Sequence, residues 1–236
     1  MPQKLFADRV EAGQILARRV VRYLADNPAP GQPLVLALPR GGVPVAVEVA
    51  RAINAELGIV VARELDAPRY PQFGVGGLAE DGPPVFDHDA LRYLGRAEAD
   101  LTPTVDQERA EIQRRIRRYR GDRPIPWITG RVVILVDDGL STGAAARAAV
   151  YWLRVHRPRR VVLAVPVCAP QARDALASGV DAIICTDTNE HFQDVGEWYT
   201  DFTPLTDEDV QRLLAAYPSP SSAVTPHGTP GGHPVR

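Results

Sequence analysis

Two adjacent carboxylates, Asp137 and Asp138, follow the apolar run Val132-Val133-Ile134-Leu135-Val136 without a break. Close carboxylates repel each other, so a pair placed directly after a buried strand calls for a reason. As acceptors they suit hydroxyl groups or a hydrated cation. Gly139, Leu140, Ser141, Thr142, Gly143, Ala144 and Ala145 come next, and a helical pattern begins at about Gly143. The start of a helix leaves backbone N–H groups unpaired and carries partial positive charge, so it attracts anions. Gly143, Ala144 and Ala145 have no bulk to keep a phosphate away from those amides, and Ser141 and Thr142 add hydroxyl donors. A vicinal diol on the two carboxylates and a phosphate on the helix start describe ribose 5-phosphate. Taken alone, Ser141 or Thr142 serves equally well as a plain helix N-cap.

The surrounding elements must place this stretch at a strand end. Residues 8–26 have the spacing of an amphipathic helix, with Ala12, Leu16, Val20, Tyr23 and Leu24 on one face. Residues 34–38 form a short apolar run, as in a buried parallel strand. Pro39-Arg40-Gly41-Gly42 makes a tight loop, residues 43–57 a helix and residues 59–62 a second strand. Residues 63–89, rich in Pro and Gly, are expected to be a mobile loop with a small antiparallel excursion. Residues 101–121 give a long polar helix carrying six arginines, expected to be a solvated face. After Val136 the alternation continues: a helix burying Ala146, Ala149, Val150 and Leu153, then a strand, a short helix and a short strand. Residues 186–205 are irregular and aromatic, and a last helix starts behind Thr206. This is an α/β chain with a mostly parallel central sheet flanked by helices.

Composition narrows the partners. A net charge of −2 gives no overall attraction to nucleic acid or to anionic membranes, so neither is an expected partner. No apolar run approaches the ~18–20 residues of a membrane span. Cys168 and Cys185 lack metal-ligand spacing and lie in apolar runs, as reduced core residues of a cytoplasmic protein would. Residues 218–236 contain little that could be buried and are expected to be disordered, His227 and His233 included.

Val-Asp-Asp-Gly-Leu-Ser-Thr-Gly at 136–143 resembles the diphosphoribosyl-binding signature of the type I phosphoribosyltransferases, and Leu-Pro-Arg-Gly-Gly at 38–42 resembles their pyrophosphate loop. Ala-Pro-Arg-Tyr-Pro-Gln-Phe-Gly-Val-Gly (67–76) and Val-Gly-Glu-Trp-Tyr-Thr-Asp-Phe (195–202) are similar to a bacterial subfamily of predicted phosphoribosyltransferases. The resemblance spans about residues 5–216. It implies one domain over residues 1–217, with a five-stranded parallel core and a small hood built from residues 1–30 and 168–217. It also implies Mg²⁺-dependent transfer of phosphoribose from 5-phosphoribosyl 1-diphosphate to a nitrogenous base or other nitrogen nucleophile, with pyrophosphate released. A non-catalytic sensor of phosphoribosyl diphosphate or a nucleotide is the alternative.

By the same resemblance, Asp137 and Asp138 would bond the ribose hydroxyls and stand in the outer shell of the metal. Ser141 to Ala145 would hold the 5-phosphate. Arg40, Gly41, Gly42 and Arg63 would hold the diphosphate, across a Pro39–Arg40 peptide that relatives often keep cis. Phe192, Val195 and Trp198 are candidates for the acceptor pocket, or for a hood core. A small-molecule acceptor is expected, and a homodimer is compatible. Two positions depart from the subfamily: Glu64 stands where relatives carry Lys, and Asp66 where they carry Gly. Ser141 stands where the 6-oxopurine enzymes carry Asp, which argues against hypoxanthine or guanine as acceptor.

Overall fold

The computed structural model describes residues 4–68, 70–188 and 192–217. The tail expected over 218–236, with His227 and His233, lies outside the described residues. In chain order the elements are α1 (Arg9–Asp26), β1 (Leu34–Ala37), α2 (Gly42–Ala52), β2 (Glu56–Ile59), β3 (Ala62–Ala67), β4 (Tyr70–Ala79), β5 (Val85–Phe86), α3 (His88–Tyr93), α4 (Thr102–Arg120), β6 (Val132–Val136), α5 (Ala144–Val155), β7 (Arg160–Cys168), α6 (Pro170–Leu176), β8 (Ala182–Thr188) and α7 (Asp207–Ala216).

Five strands form one parallel sheet in the order β2-β1-β6-β7-β8. Side chains alternate between its faces, as the twofold period of a strand requires. Val35, Ala37, Ile134 and Val136 are buried on the α1–α2 side, and Leu34, Leu36, Val133 and Leu135 on the α5 side. This two-sided burial explains the unbroken apolar run of β6. Ala37 pairs with Val136, and Val136 with Ala164, so the loops after β1 and β6 leave the sheet at one level. From β1 the chain moves outward to β2, and from β6 it moves the other way to β7. The gap between β1 and β6 is therefore the topological switch point, where open α/β sheets bind ligands.

Three expectations change. The helix over 43–57 stops at Ala52, because Asn54 turns to φ 47° and the Ala55 N–H closes on Ala50. Leu57, whose spacing fitted the helix, instead alternates with Ile59 into the core of β2, and the strand expected over 59–62 divides between β2 and β3. Residues 63–89 hold an ordered antiparallel hairpin, β3–β4, with β5 added at its edge. Leu65, Val75 and Leu78 are fully buried there. Its glycines looked like loop signals, but Gly77 permits contact: a Cβ there would sit 2.4 Å from the Ala144 carbonyl of α5. Finally, α4 keeps its solvated face, with Arg114, Arg117 and Arg118 exposed, and buries the other. Ile112 and Tyr119 are buried, as is Arg115, which pairs with Glu111 at 2.6 Å.

Glu80 is the most buried acid of this second sheet, 4% exposed. It accepts the Val61 N–H at 2.7 Å and Arg120 Nη2 at 2.6 Å. Removing one partner of a buried ion pair leaves an uncompensated charge. Glu80→Ala should therefore lower stability by about 3–5 kcal/mol, and Glu80→Gln by less because the bond to Val61 survives. The check is a urea-unfolding midpoint at unchanged slope.

Candidate functional site

Asp137 and Asp138 stand at the end of β6, at the switch point. Asp137 Oδ1 accepts the Asp138 N–H at 2.9 Å, and Asp138 Oδ2 accepts Arg9 Nε at 2.7 Å. Arg9 lies 3.8 Å above the centre of the Phe202 ring and donates Nη1 to the Thr203 carbonyl at 3.0 Å. Tyr199 Oη donates to the Asp138 carbonyl at 2.6 Å. Burial pushes both carboxyl pKa values up, Asp137 well above the ordinary range. The charge of Asp138 raises Asp137 further, whereas Arg9 opposes the rise at Asp138. One cation, drawn from 129 residues earlier in the chain, thus balances the pair. The sequence reading missed Arg9. Its only local signal was a cation in the first turn of α1, where the helix dipole disfavours one.

The loop after β1 packs directly on the pair. A Cβ on Gly41 would fall 1.9 Å from Asp138 Oδ2, and one on Gly42 would fall 2.7 Å from the Val136 carbonyl. Only glycine allows this approach. The Pro39–Arg40 peptide is cis. Arg40 comes to the site by its backbone. Its guanidinium points elsewhere, 3.6 Å from Asp207 at the start of α7.

The other loop, 137–143, is pinned to β7 by Leu140 N–H to Val167 (2.9 Å) and Ala169 N–H to Leu140 (2.8 Å). Gly143 then takes φ 75°, a left-handed turn at the start of α5. Ser141 and Thr142 are exposed, while Gly143 and Ala144 are buried. Thr142 Oγ1 accepts the Ala144 N–H at 3.3 Å, but the N-cap position of α5 is Gly143, not Ser141 or Thr142. The same hydroxyl donates to Glu64 Oε2 at 3.0 Å. A cavity of about 170 Å³ opens here, lined by Glu64, Asp137, Gly139, residues 140–146 and Val195.

Arg63 was expected beside the diphosphate, but strand alternation turns it to the opposite face of β3, where Nε binds Glu108 at 2.6 Å. Glu64 faces the cradle in its place. Gly74 makes room for it, since a Cβ there would lie 1.9 Å from Glu64 Oε1. Desolvation raises the Glu64 pKa, with the Thr142 hydrogen bond opposing. Of the three acceptor candidates, only Val195 lines this cavity; its Cγ1 would lie 2.4 Å from a Cβ on Gly139. Trp198 is 6% exposed and closes a small core with Phe6, Ala12, Val167 and Tyr199, and Phe192 stacks on it at 6.1 Å. Among the described residues no group of three or more His, Cys, Asp or Glu side chains is placed to hold a metal, and no helix is long and apolar enough to cross a membrane.

Comparison with known proteins agrees with this geometry. The phosphoribosyl transferase domain pattern matches residues 7–200. A Mycobacterium tuberculosis protein whose name gives phosphoribosyl transferase as a provisional assignment is 38% identical over 211 residues, covering 89% of this chain and 46% of its own length. The chain thus spans about half the length of that curated relative. The bifunctional protein PyrR of Corynebacterium diphtheriae is 30% identical over 154 residues, which is 64% of this chain and 63% of that protein. The crystal structure of TT1426 from Thermus thermophilus superposes with a TM-score of 0.74 at 40% identity, covering 90% of this chain and 98% of that one. With its parallel sheet, its switch-point carboxylates and a family match over most of its length, the chain belongs to the phosphoribosyl transferase family and has the type I phosphoribosyltransferase fold.

Proposed function

We propose that this protein transfers phosphoribose from 5-phosphoribosyl 1-diphosphate to a nitrogen nucleophile on a small molecule. The observation that carries the reading is what meets at one strand end: the Gly41–Gly42 backbone packs on the Asp137–Asp138 pair, and Asp137 lines one cavity with the start of α5. They offer acceptors for a diol between two places for phosphate.

The bond from the anomeric carbon to diphosphate breaks with its electron pair leaving on oxygen, and the nucleophile's nitrogen forms the new bond. Asp137 and Asp138 accept the ribose hydroxyls and fix the ring. Their negative field also favours the positive charge developing on the sugar. Arg9 opposes the rise in the Asp138 pKa and orients the carboxyl group. The amides of α5 with Ser141 and Thr142 hold the 5-phosphate, and those beside Gly41 and Gly42 meet the diphosphate. The hairpin over α5 excludes water. Mg²⁺ fits this donor set only as an ion that keeps most of its waters, because two carboxylates are present and Asp138 is shared with Arg9. Such an ion would neutralise charge on the diphosphate. Val195 is the residue best placed to touch the acceptor.

Glu64 favours a second reading, a sensor that binds phosphoribosyl diphosphate or a nucleotide without turnover, because its carboxylate repels a phosphate in the cradle. Pyrophosphate release across a panel of bases and amines separates the two. Release that depends on one acceptor supports transfer; binding without release for every acceptor supports the sensor.

Asp137→Asn combined with Asp138→Asn should weaken phosphoribosyl diphosphate binding by about 100-fold or more, as expected for lost hydrogen bonds to charged groups. Undiminished affinity in a calorimetric titration would reject the site. Glu64→Gln should tighten ribose 5-phosphate by about 10–100-fold, since like charges near 4 Å at a protein surface repel by a few kcal/mol. The pH dependence has a definite sign. A raised Glu64 pKa means that lowering the pH neutralises it earlier than an ordinary glutamate. Wild-type affinity should therefore rise relative to Glu64→Gln as the pH falls from 7 towards 5. Parallel profiles would mean that Glu64 leaves the cradle before ligand enters.

A further inference from the structure

A cavity of about 940 Å³ adjoins the loop after β1. Arg40 of that loop lines it, with Arg114, Arg117 and Arg118 of α4 and the start of α7, Asp207 and Glu208 included. Four guanidiniums and two carboxylates line it, and Glu111, outside the lining, binds Arg114 at 2.7 and 3.0 Å; positive charge is still in local excess on a chain whose net charge is −2. The pairing within the cavity is uneven. Asp207 takes three partners: Arg114 Nη1 at 2.9 Å, Arg40 Nη1 at 3.6 Å and the Tyr119 hydroxyl, which donates at 2.5 Å. Arg118 pairs with Glu208, itself exposed. The Arg117 guanidinium has no ion pair or hydrogen bond among the described residues.

Like charges gathered in a concave surface focus a positive potential, and folding alone gains nothing from the surplus. Guanidinium forks match the oxygens of phosphate, and several around one cavity match an oligophosphate. Pro204 and Leu205 supply an apolar wall for an organic body.

The geometry points to a second anion site: the arginine cavity between α4, α7 and the Arg40 loop receives the phosphate groups of a small phosphorylated ligand. Those groups come either from the diphosphate end of the ligand held at Asp137–Asp138 or from a separate oligophosphate. Either way the site is coupled to the loop. Arg40 and Arg114 share Asp207, so an anion that draws them to itself loosens Asp207 and shifts the Arg40 side chain beside Gly41 and Gly42. The anion site itself does not depend on the phosphoribosyl reading.

The test titrates inorganic pyrophosphate, without divalent metal, into the full chain by calorimetry. Arg117→Gln with Arg118→Gln removes two exposed charges, and circular dichroism checks that the fold is kept. Affinity should fall at least tenfold in that variant. Glu208→Gln frees Arg118 and should tighten binding severalfold. Unchanged affinity in both variants would overturn the site. The arginine-dependent binding should persist in Asp137→Asn with Asp138→Asn, so failure of the phosphoribosyl reading is seen separately. Wild type saturated with phosphoribosyl diphosphate identifies the source. If pyrophosphate still binds through Arg117 and Arg118, the ligand is a separate molecule; if it is blocked, the cavity holds the diphosphate of the bound one.

Discussion

The repulsion between Asp137 and Asp138 is the constraint that the rest of the site answers. Two neighbouring carboxylates at a buried strand end would each gain by taking a proton, and burial raises both pKa values. Three contacts hold the pair in place. Arg9 supplies the positive charge, the Asp138 N–H bonds Asp137, and Tyr199 clamps the Asp138 carbonyl. Arg9 is in turn fixed by the Phe202 ring and the Thr203 carbonyl. The segments at both ends of the described chain are therefore tied to the pair by charge as well as by apolar packing. The Phe6–Trp198–Tyr199 core below them keeps Arg9 within reach.

The glycines carry a second constraint, distance. Gly41 against Asp138, Gly42 against Val136, Gly74 against Glu64 and Gly77 against Ala144 all mark places where backbone or a small turn approaches another element more closely than a Cβ allows. Gly41 and Gly42 bring the loop after β1 onto the acidic pair, and Gly74 and Gly77 let the hairpin hold Glu64 and pack on the start of α5. A substitution at any of them would separate elements whose contact is the site itself.

What could be read from the sequence was local. The apolar β6 run, the acidic pair, the small-residue turn and the helix start are contiguous, so their physics follows from adjacent residues. The parallel sheet followed from the α/β alternation, but not the register that sets the two loops side by side. The rest depends on long-range pairing. Arg9 lies 129 residues from Asp138, and Arg63 finds Glu108 across 45 residues of chain. The hairpin was hidden because glycine has two causes, a turn or a close approach, and sequence alone does not separate them. Likewise α4 was read as solvated because its arginines outnumber its apolar residues. Apart from Glu111, their acidic partners Glu80, Asp207 and Glu208 lie outside α4.

Glu64 and the arginine cavity together alter the electrostatics of the fold. A helix start with small residues is a site for phosphate, but here a carboxylate already bonds Thr142 at its mouth. At the far side of the Gly41–Gly42 loop the sign reverses, and the excess is positive. If the arginine cavity holds the diphosphate of the bound ligand, a ligand with phosphate at both ends of one ribose would meet repulsion at the 5-phosphate and attraction at the diphosphate. Binding would then begin at the arginine side, where the potential is favourable and open to solvent. The 5-phosphate would reach the cradle afterwards, as Glu64 takes a proton or as β3 swings it away from Thr142. This order differs from that of a cradle flanked by cations, in which both ends attract and neither leads. The single exchange at position 64 therefore bears on the sequence of binding as much as on its strength.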